Sequence, residues 1–408
     1  MQFRPLPAGD NANKNKKLLS LLGEGGFSVC KTCFGLIRHP HEKGAQLGRL
    51  SALDGIAKNA PDGLPFDRAE WKKRFRRLLL TTNGPRAATL MESFYEDRLV
   101  PVKRADGAVP DAPAAGLDPN TPIVLFAVKN DLVRVKELFG HYRKLGVQRF
   151  AVIDNGSDDG TLEFLSEQPD ADVYRTDARF SSIRKAGWLN RLAAFYGTER
   201  WYLWLDADEL FTYAGAETRS LTELTHALER RGETKLRSFM LDMYPEGVLL
   251  DAERRDADFL TDCVWFDPDS EDYMLRPEIM RMSGGMRQRV FGLEEGTLSK
   301  VTLLHFGNGR MLTGAHTIAP QAEDYSGDFM GVLMHYKFLP GDLKKYRRIV
   351  DDGTYTNGSA EYKRYLKVFS ENPMLTAKNN GSRRYTGSAS LSDAFPFLKD
   401  PFEDRKTE

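Results

Sequence analysis

From residue 123 onward, short and wholly apolar runs alternate with longer segments whose apolar residues return every three or four positions. The run IVLFAV (123–128) has no polar interruption, which suits a strand covered on both faces. DLVRVKELFGHYRKLG (131–146) then places Leu132, Val135, Leu138, Phe139 and Tyr142 at helical spacing, with Gly146 as a stop. RFAVID (149–154) predicts a second strand, GTLEFLSEQ (160–168) a second helix and ADVYRTD (171–177) a third strand. SIRKAGWLNRLAAFYG (182–197) predicts a third helix and WYLWLD (201–206) a fourth strand. Strand and helix in turn imply right-handed βαβ units, an α/β fold with a mostly parallel sheet flanked by helices.

In such sheets ligands bind outside the carboxyl ends of the strands. Polar residues gather at three of those ends. Lys129, Asn130 and Asp131 follow the first strand, DNGSDDG the second and DADE the fourth. The first strand-to-helix turn, AVKNDLV, has neither Gly-x-Gly-x-x-Gly nor a phosphate-loop lysine, so it is not the usual dinucleotide site. Asp206 and Asp208 stand one residue apart, and in an extended segment they face the same side. Two such carboxylates repel unless a cation lies between them, and Mg²⁺ or Mn²⁺ suits that position. Asp154, at a strand end, can accept from a base or ribose; Asn155 and Gly156 favour a sharp turn after it.

The flanking regions differ. Residues 1–118 mix Gly, Pro and basic residues and read as an accessory region ending in a linker, RADGAVPDAPAAGLDPNTP (104–122). Within it DRAEWKKRFRRLLLTT (67–82) predicts a basic amphipathic helix, suited to core packing or to peripheral membrane contact. Residues 119–375 form the main domain, divided near 215/216 into two halves, and 376–408 read as a polar tail. Its Gly/Ser-rich stretch 377–393 suits a lid.

Lys+Arg and Asp+Glu number 58 each, a balance that argues against a nucleic-acid partner. Three cysteines, Cys30, Cys33 and Cys263, give no disulfide framework. No second Cys pair or nearby His pair completes a zinc set for Cys30 and Cys33. With no apolar run long enough to span a membrane and no leader-like start, a cytoplasmic chain is expected.

The segments VKND, LFGHYRKLGVQRFAVIDNGSDDGTLEFL, IRKAGWLNRLA and WYLWLDADELF, in that order over about 121–213, resemble the nucleotide-sugar half of family 2-type glycosyltransferases with the GT-A fold. Looser likeness continues in FMLDMYPEG (239–247), GGMRQRVFG (284–292), LSKVTLL (298–304), GAHTI (314–318) and LMHYKF (333–338). The resemblance implies transfer of a sugar from a nucleotide diphosphate, UDP favoured, with inversion. A cell-surface glycan, lipid-linked or protein acceptor would receive it. It matches Asp154 to the Asp that reads uracil or ribose, with Asn155 in place of a second Asp. Asp206 and Asp208 match the Asp-x-Asp pair that holds Mn²⁺ or Mg²⁺ on the diphosphate. A late histidine as a further metal ligand is implied too, with His335 first and His316 second.

Other roles follow from charge. A diphosphate leaving group needs cationic donors. Arg184 and Lys185 at the start of the third helix are expected to face the crevice, and Asn130 and Asn190 to contact the nucleotide sugar. Arg287 and Arg289, i and i+2 on an expected strand, would face one way; Lys300 and Lys337 are further phosphate or acceptor donors. The general base is left among Asp242, Glu278, Asp262 and Asp267, with Glu209 beside the metal pair as another candidate. A nucleotidyltransferase and an inactive nucleotide-binding scaffold are the rival readings.

Overall fold

The computed structural model describes residues 64–81, 84–110, 116–268, 281–293, 297–320, 329–353 and 356–403, with short pieces at 26–29, 36–39, 52–53, 56 and 273–276. Cys30, Cys33 and the candidate base Glu278 lie outside the described residues.

One sheet contains β1 (Val100–Pro101), β2 (Ile123–Val128), β3 (Phe150–Asp154), β4 (Ala171–Arg175), β5 (Trp201–Trp204), β6 (Glu209–Thr212), β7 (Lys235–Asp242), β8 (Ser299–His305) and β9 (Met330–His335). Across the sheet they run β1-β4-β3-β2-β5-β8-β7-β9-β6. β4, β3, β2 and β5 are parallel, as the apolar runs predict. β8 runs antiparallel between β5 and β7, whereas β7 and β9 are parallel to each other. β1 and β6 close the two edges antiparallel. The result is an α/β protein whose large mixed sheet has mostly parallel central strands and helices on its faces.

Alternation along β2 explains the layers. Val124, Phe126 and Val128 enter one core with Leu138, Phe139 and Tyr142 of α3 (Leu132–Lys144). Ile123 and Leu125 enter the opposite core, with Trp188 and Leu189 of α5 (Ser182–Tyr196). The short α4 (Thr161–Ser166) joins β3 to β4. With both faces covered, every residue of β3 and β5 is buried, which is why these runs lack polar interruption.

The flanks are less separate than their composition suggests. α1 (Arg68–Thr81) buries Trp71, Phe75, Leu78 and Leu79 in the α5-side core, so its apolar face is inside the protein. α2 (Gly84–Tyr95) lies so close to α5 that a Cβ at Gly187 would meet Ser93 Oγ and sit 2.9 Å from the Leu90 carbonyl oxygen. Just after α2, Val100 and Pro101 join the sheet beside β4, so the region set apart at 118 shares the sheet of the main domain. The C-terminal stretch is likewise built in. Arg383 and Arg384 pair with Trp265 and Phe266, and Leu391, Ala394 and Phe395 are buried, Phe395 against Phe239. The stretch 377–393, expected as a lid or tail, buries Ala377, Ser388 and Leu391 and does not line the cleft.

After α6 (Leu221–Arg230) and β7 come α7 (Met286–Phe291), α8 (Asp342–Asp352) and α9 (Thr356–Glu371). These three pack around a separate aromatic cluster of Tyr244, Phe291, Phe338, Tyr346, Tyr365 and Phe369. Among the described residues no helix is long and apolar enough to cross a membrane.

Candidate functional site

A cleft of about 1610 Å³ opens at the carboxyl ends of β2, β3, β5, β7 and β9 and is closed on the far side by α8 and α9. It brings together three sequence-predicted loops: Lys129–Asp131, Asn155–Asp159 and Asp206–Glu209.

The first two loops brace each other. Asn130 has a left-handed backbone, φ 54°. Its amide nitrogen Nδ2 donates to Asp158 Oδ1 at 2.6 Å, and its Oδ1 accepts from the Asp158 backbone N–H at 2.7 Å. Asp154 Oδ1 accepts from the N–H groups of Gly156 and Ser157, which fixes the turn. Asp154 is buried and does not line the cleft, but its Oδ2 is also buried with no hydrogen-bond partner. Asn155 lines the cleft while its Nδ2 donates to the carbonyls of Thr176 and Ala178.

The acidic loop after β5 is held from behind by Tyr142. Its hydroxyl donates to the Glu209 carbonyl at 3.1 Å and accepts from the Phe211 N–H at 2.7 Å. His141 Nε2 donates to the Phe211 carbonyl at 2.7 Å. The His-Tyr pair of α3 thus anchors β6. The chain turns at 207–208, so Asp206 and Asp208 do not act as an extended i, i+2 pair; each meets a different set of cations. Asp206 pairs with Lys185, and Lys300 Nζ stands 3.5 Å away. Burial alone would raise its carboxyl pKa; Lys185 and then Lys300 outweigh burial and hold it well below the usual range. Lys300 is fully buried and donates to Glu209 Oε2 at 2.5 Å. It does not reach the cleft, so it acts as a counter-ion to the acidic loop rather than as a phosphate donor.

Asp208 faces His335. Asp208 Oδ2 lies 3.4 Å from His335 Nε2 and 3.7 Å from Lys337 Nζ. His335 Nδ1 lies 2.7 Å from Asp242 Oδ1, and the carboxylate acceptor requires the proton on Nδ1. Nε2 is then the atom presented to Asp208 and the cleft. A proton on Nε2 or a cation between the two atoms relieves their lone-pair repulsion. Burial lowers the His335 pKa, but Asp208 and Asp242 outweigh it and raise it.

The geometry suits a divalent ion at Asp208 and His335: one hard carboxylate oxygen and one imidazole nitrogen face each other, and the carboxylate behind the histidine fixes its tautomer. The expected set, Asp206 and Asp208 with His335 or, second, His316, is not gathered on one position among the described residues. Asp206 is engaged by lysines, and His316 Nδ1 lies 3.2 Å from the Ser299 carbonyl. Among the described residues no group of three or more His, Cys, Asp and Glu converges on one metal position.

Several expected contacts fall elsewhere. Arg184 turns from the crevice to Asp97, with contacts of 2.5 and 2.7 Å. Asn190 is buried, donating to the Leu312 carbonyl and accepting its N–H, so it braces α5. Arg287 and Arg289 lie on α7, not on a strand, and diverge. Arg289 grips Asp267 at 3.0 and 2.8 Å, away from the cleft. Arg287 lines the cleft and donates to Asp242 Oδ2 at 2.9 Å and Glu361 Oε1 at 3.2 Å. Asp242 does not line the cleft; it sits behind His335 and holds the imidazole. Asp262 and Asp267 do not line the cleft either. Lys337 does, and donates to the Tyr362 hydroxyl at 3.0 Å.

Sequence reading missed the far wall. Arg134 is buried; it donates to the carbonyls of Tyr336 and Lys337, to Asp131 and, through both terminal nitrogens, to Asp342. Lys345 donates to Asp131 Oδ2 at 2.7 Å. Glu361 and Tyr362 complete the wall. Their helices read as ordinary amphipathic segments, and only the fold turns these faces to the strand ends. No protein-family model matches the chain, and no curated protein is significantly similar to it.

Proposed function

We propose that the protein is a GT-A-type glycosyltransferase that moves a sugar from a nucleoside diphosphate to an acceptor hydroxyl. One observation carries this reading: Asp208 and the oriented Nε2 of His335 face each other at the strand ends, in the cleft that also holds the Asp154 turn. A carboxylate and an imidazole together favour Mn²⁺ over Mg²⁺. Such an ion, once bound, supplies positive charge to the departing diphosphate. Lys185 and Lys337 add fixed cations on the cleft surface. Asp154 fixes the turn whose residues Asn155 and Gly156 line the cleft, where the base or ribose would lie. A nucleotidyltransferase would carry a Gly-rich phosphate loop after β2, where this chain has AVKNDLV.

Calorimetry with UDP, GDP and CDP, with and without Mn²⁺, tests the reading. One nucleotide, UDP by preference, is expected to bind in a Mn²⁺-dependent manner, and Asp208→Ala to abolish that dependence. Absence of nucleotide binding, or binding indifferent to Asp208→Ala, refutes it.

A further inference from the structure

Resting on that reading, we propose that Glu361 is the general base that removes the proton from the acceptor hydroxyl. Its α9 segment Ser359–Tyr362 forms a continuous part of the cleft wall. Arg287 Nη1 donates to Glu361 Oε1 at 3.2 Å, and the Tyr365 hydroxyl donates to the same oxygen. Among the described residues nothing donates to Oε2. The side chain is 41% exposed, so the second oxygen is open to a ligand while the first is held. A base needs this division: one oxygen for orientation and one for the proton.

The backing is firm. Tyr365 is fully buried in the aromatic cluster, between Phe291, Phe338 and Tyr346. Just before Glu361, Gly358 and Ser359 both have φ near 62° in the left-handed region, uncommon for serine. The Ser359 hydroxyl donates to the Ile349 carbonyl at 2.8 Å and pins this turn to α8. Glu361 also connects with the candidate metal pair through Arg287, Asp242 and His335, in contacts of 3.2, 2.9 and 2.7 Å.

The other cleft carboxylates are committed or misplaced. Asp131 lies between Arg134 and Lys345. Asp158 and Asp159 hold the second loop, through Asn130 and through the Thr161 N–H. Asp206 and Glu209 are paired with lysines, and Asp208 faces His335. Asp177 is almost wholly solvated, and Asp352 is exposed at the end of α8.

In the step itself, Oε2 takes the hydroxyl proton as the hydroxyl oxygen bonds to the anomeric carbon. The bond from that carbon to the diphosphate oxygen breaks, and its electron pair leaves on the nucleoside diphosphate.

The test uses the full chain with Mn²⁺ and UDP-glucose, UDP-galactose, UDP-GlcNAc and GDP-mannose, reading nucleoside diphosphate release with water as acceptor. Glu361→Gln is expected to lower release about 10²- to 10⁴-fold while nucleotide affinity stays within about twofold. Added azide, a nucleophile with no proton to lose, is expected to restore release in the variant. Wild-type rates in Glu361→Gln, a parallel loss of nucleotide binding, or failure of azide to restore release would overturn the assignment. Should Glu361→Gln not fold, Glu361→Asp keeps the charge and draws it back by one methylene; an unchanged rate there also overturns it. If the wild-type chain binds no nucleotide, the glycosyltransferase reading itself fails.

Discussion

The two walls of the cleft are built differently. The wall formed by residues 123–213 consists of strand ends and short loops. Two of its loops are held by backbone N–H groups and by each other, Asp154 by its own turn and Asn130 by Asp158, while its acidic loop is held by Lys185 and Lys300. The wall formed by α7, α8 and α9 carries its polar groups on helices, and they are held by other charges: Arg287 by Asp242 and Glu361, Lys345 by Asp131. Backbone donors give fixed geometry with no change of net charge. Ion pairs give geometry that depends on every partner being present. The first two loops should therefore tolerate loss of one side chain locally, whereas the ion-paired wall should pass the damage on.

The largest test is Arg134→Ala, which cuts the tie between α3 of the first wall and α8 of the second. It leaves Asp342 and Asp131 buried with fewer cations, and removal of one partner from such a pair costs about 3–5 kcal/mol. Urea unfolding is expected to show that loss. A change below 1 kcal/mol would mean that the far wall does not depend on its ion pairs.

Next comes Asp242→Asn, which keeps shape but weakens the support of His335. Mn²⁺ affinity in the presence of nucleotide is expected to fall about 10- to 100-fold, as titration calorimetry would show. An unchanged Mn²⁺ affinity with lost turnover would return Asp242 to the role of base.

Gly187→Ala probes the support behind the first wall, where a new Cβ meets the Leu90 carbonyl at 2.9 Å. Overpacking of this kind costs about 1–3 kcal/mol, visible as a lower melting temperature, with nucleotide affinity expected to change little in the folded fraction.

A smaller effect concerns pH. Burial lowers the pKa of His141 and of His316 from 6.5 to about 4. Between those values the unfolded chain binds protons that the folded chain does not, so stability is full above about 6.5 and falls as pH drops toward 4. His141→Gln is expected to flatten that slope in unfolding curves from pH 7 to 4.5, and an identical slope would contradict it. The raised pKa of His335 acts in the opposite sense, its contribution declining as pH rises through the folded value.

Last is Arg179→Ala. Its guanidinium donates to the Asp352 carbonyl at 3.3 Å from an exposed position, so a stability change within about 0.5 kcal/mol is expected.

The same contrast explains what could be read from the sequence. IVLFAV, FAVID and WYLW announce themselves because central strands covered on both faces are built mostly of apolar residues. Their carboxyl ends place Asp154, Asp206 and Asp208 near one another by topology alone. Side-chain direction is not legible in sequence: Arg184 and Lys185 are adjacent on α5, yet one turns to Asp97 and the other to Asp206. GGMRQRV was read as extended, but α7 begins at Met286 and sends Arg287 and Arg289 to different acids. Glu361 carried no local sign of its place, since i, i+4 contacts with a tyrosine occur on many helices and only the packing of α9 against the sheet turns it inward. The helix at 67–82 packs as one of its two readings has it, while composition hides how the flanks join the main domain, because a few residues such as Trp71, Phe75 and Phe395 decide what is buried.

Arg134 has one more consequence. It joins the start of α3 to the start of α8 and grips the chain between β9 and α8 at two carbonyls. The floor of the cleft is therefore cross-tied, and its width there cannot change without uncovering charge. Any breathing of the cleft falls to the outer rim, where Arg179 meets the end of α8 through one exposed hydrogen bond.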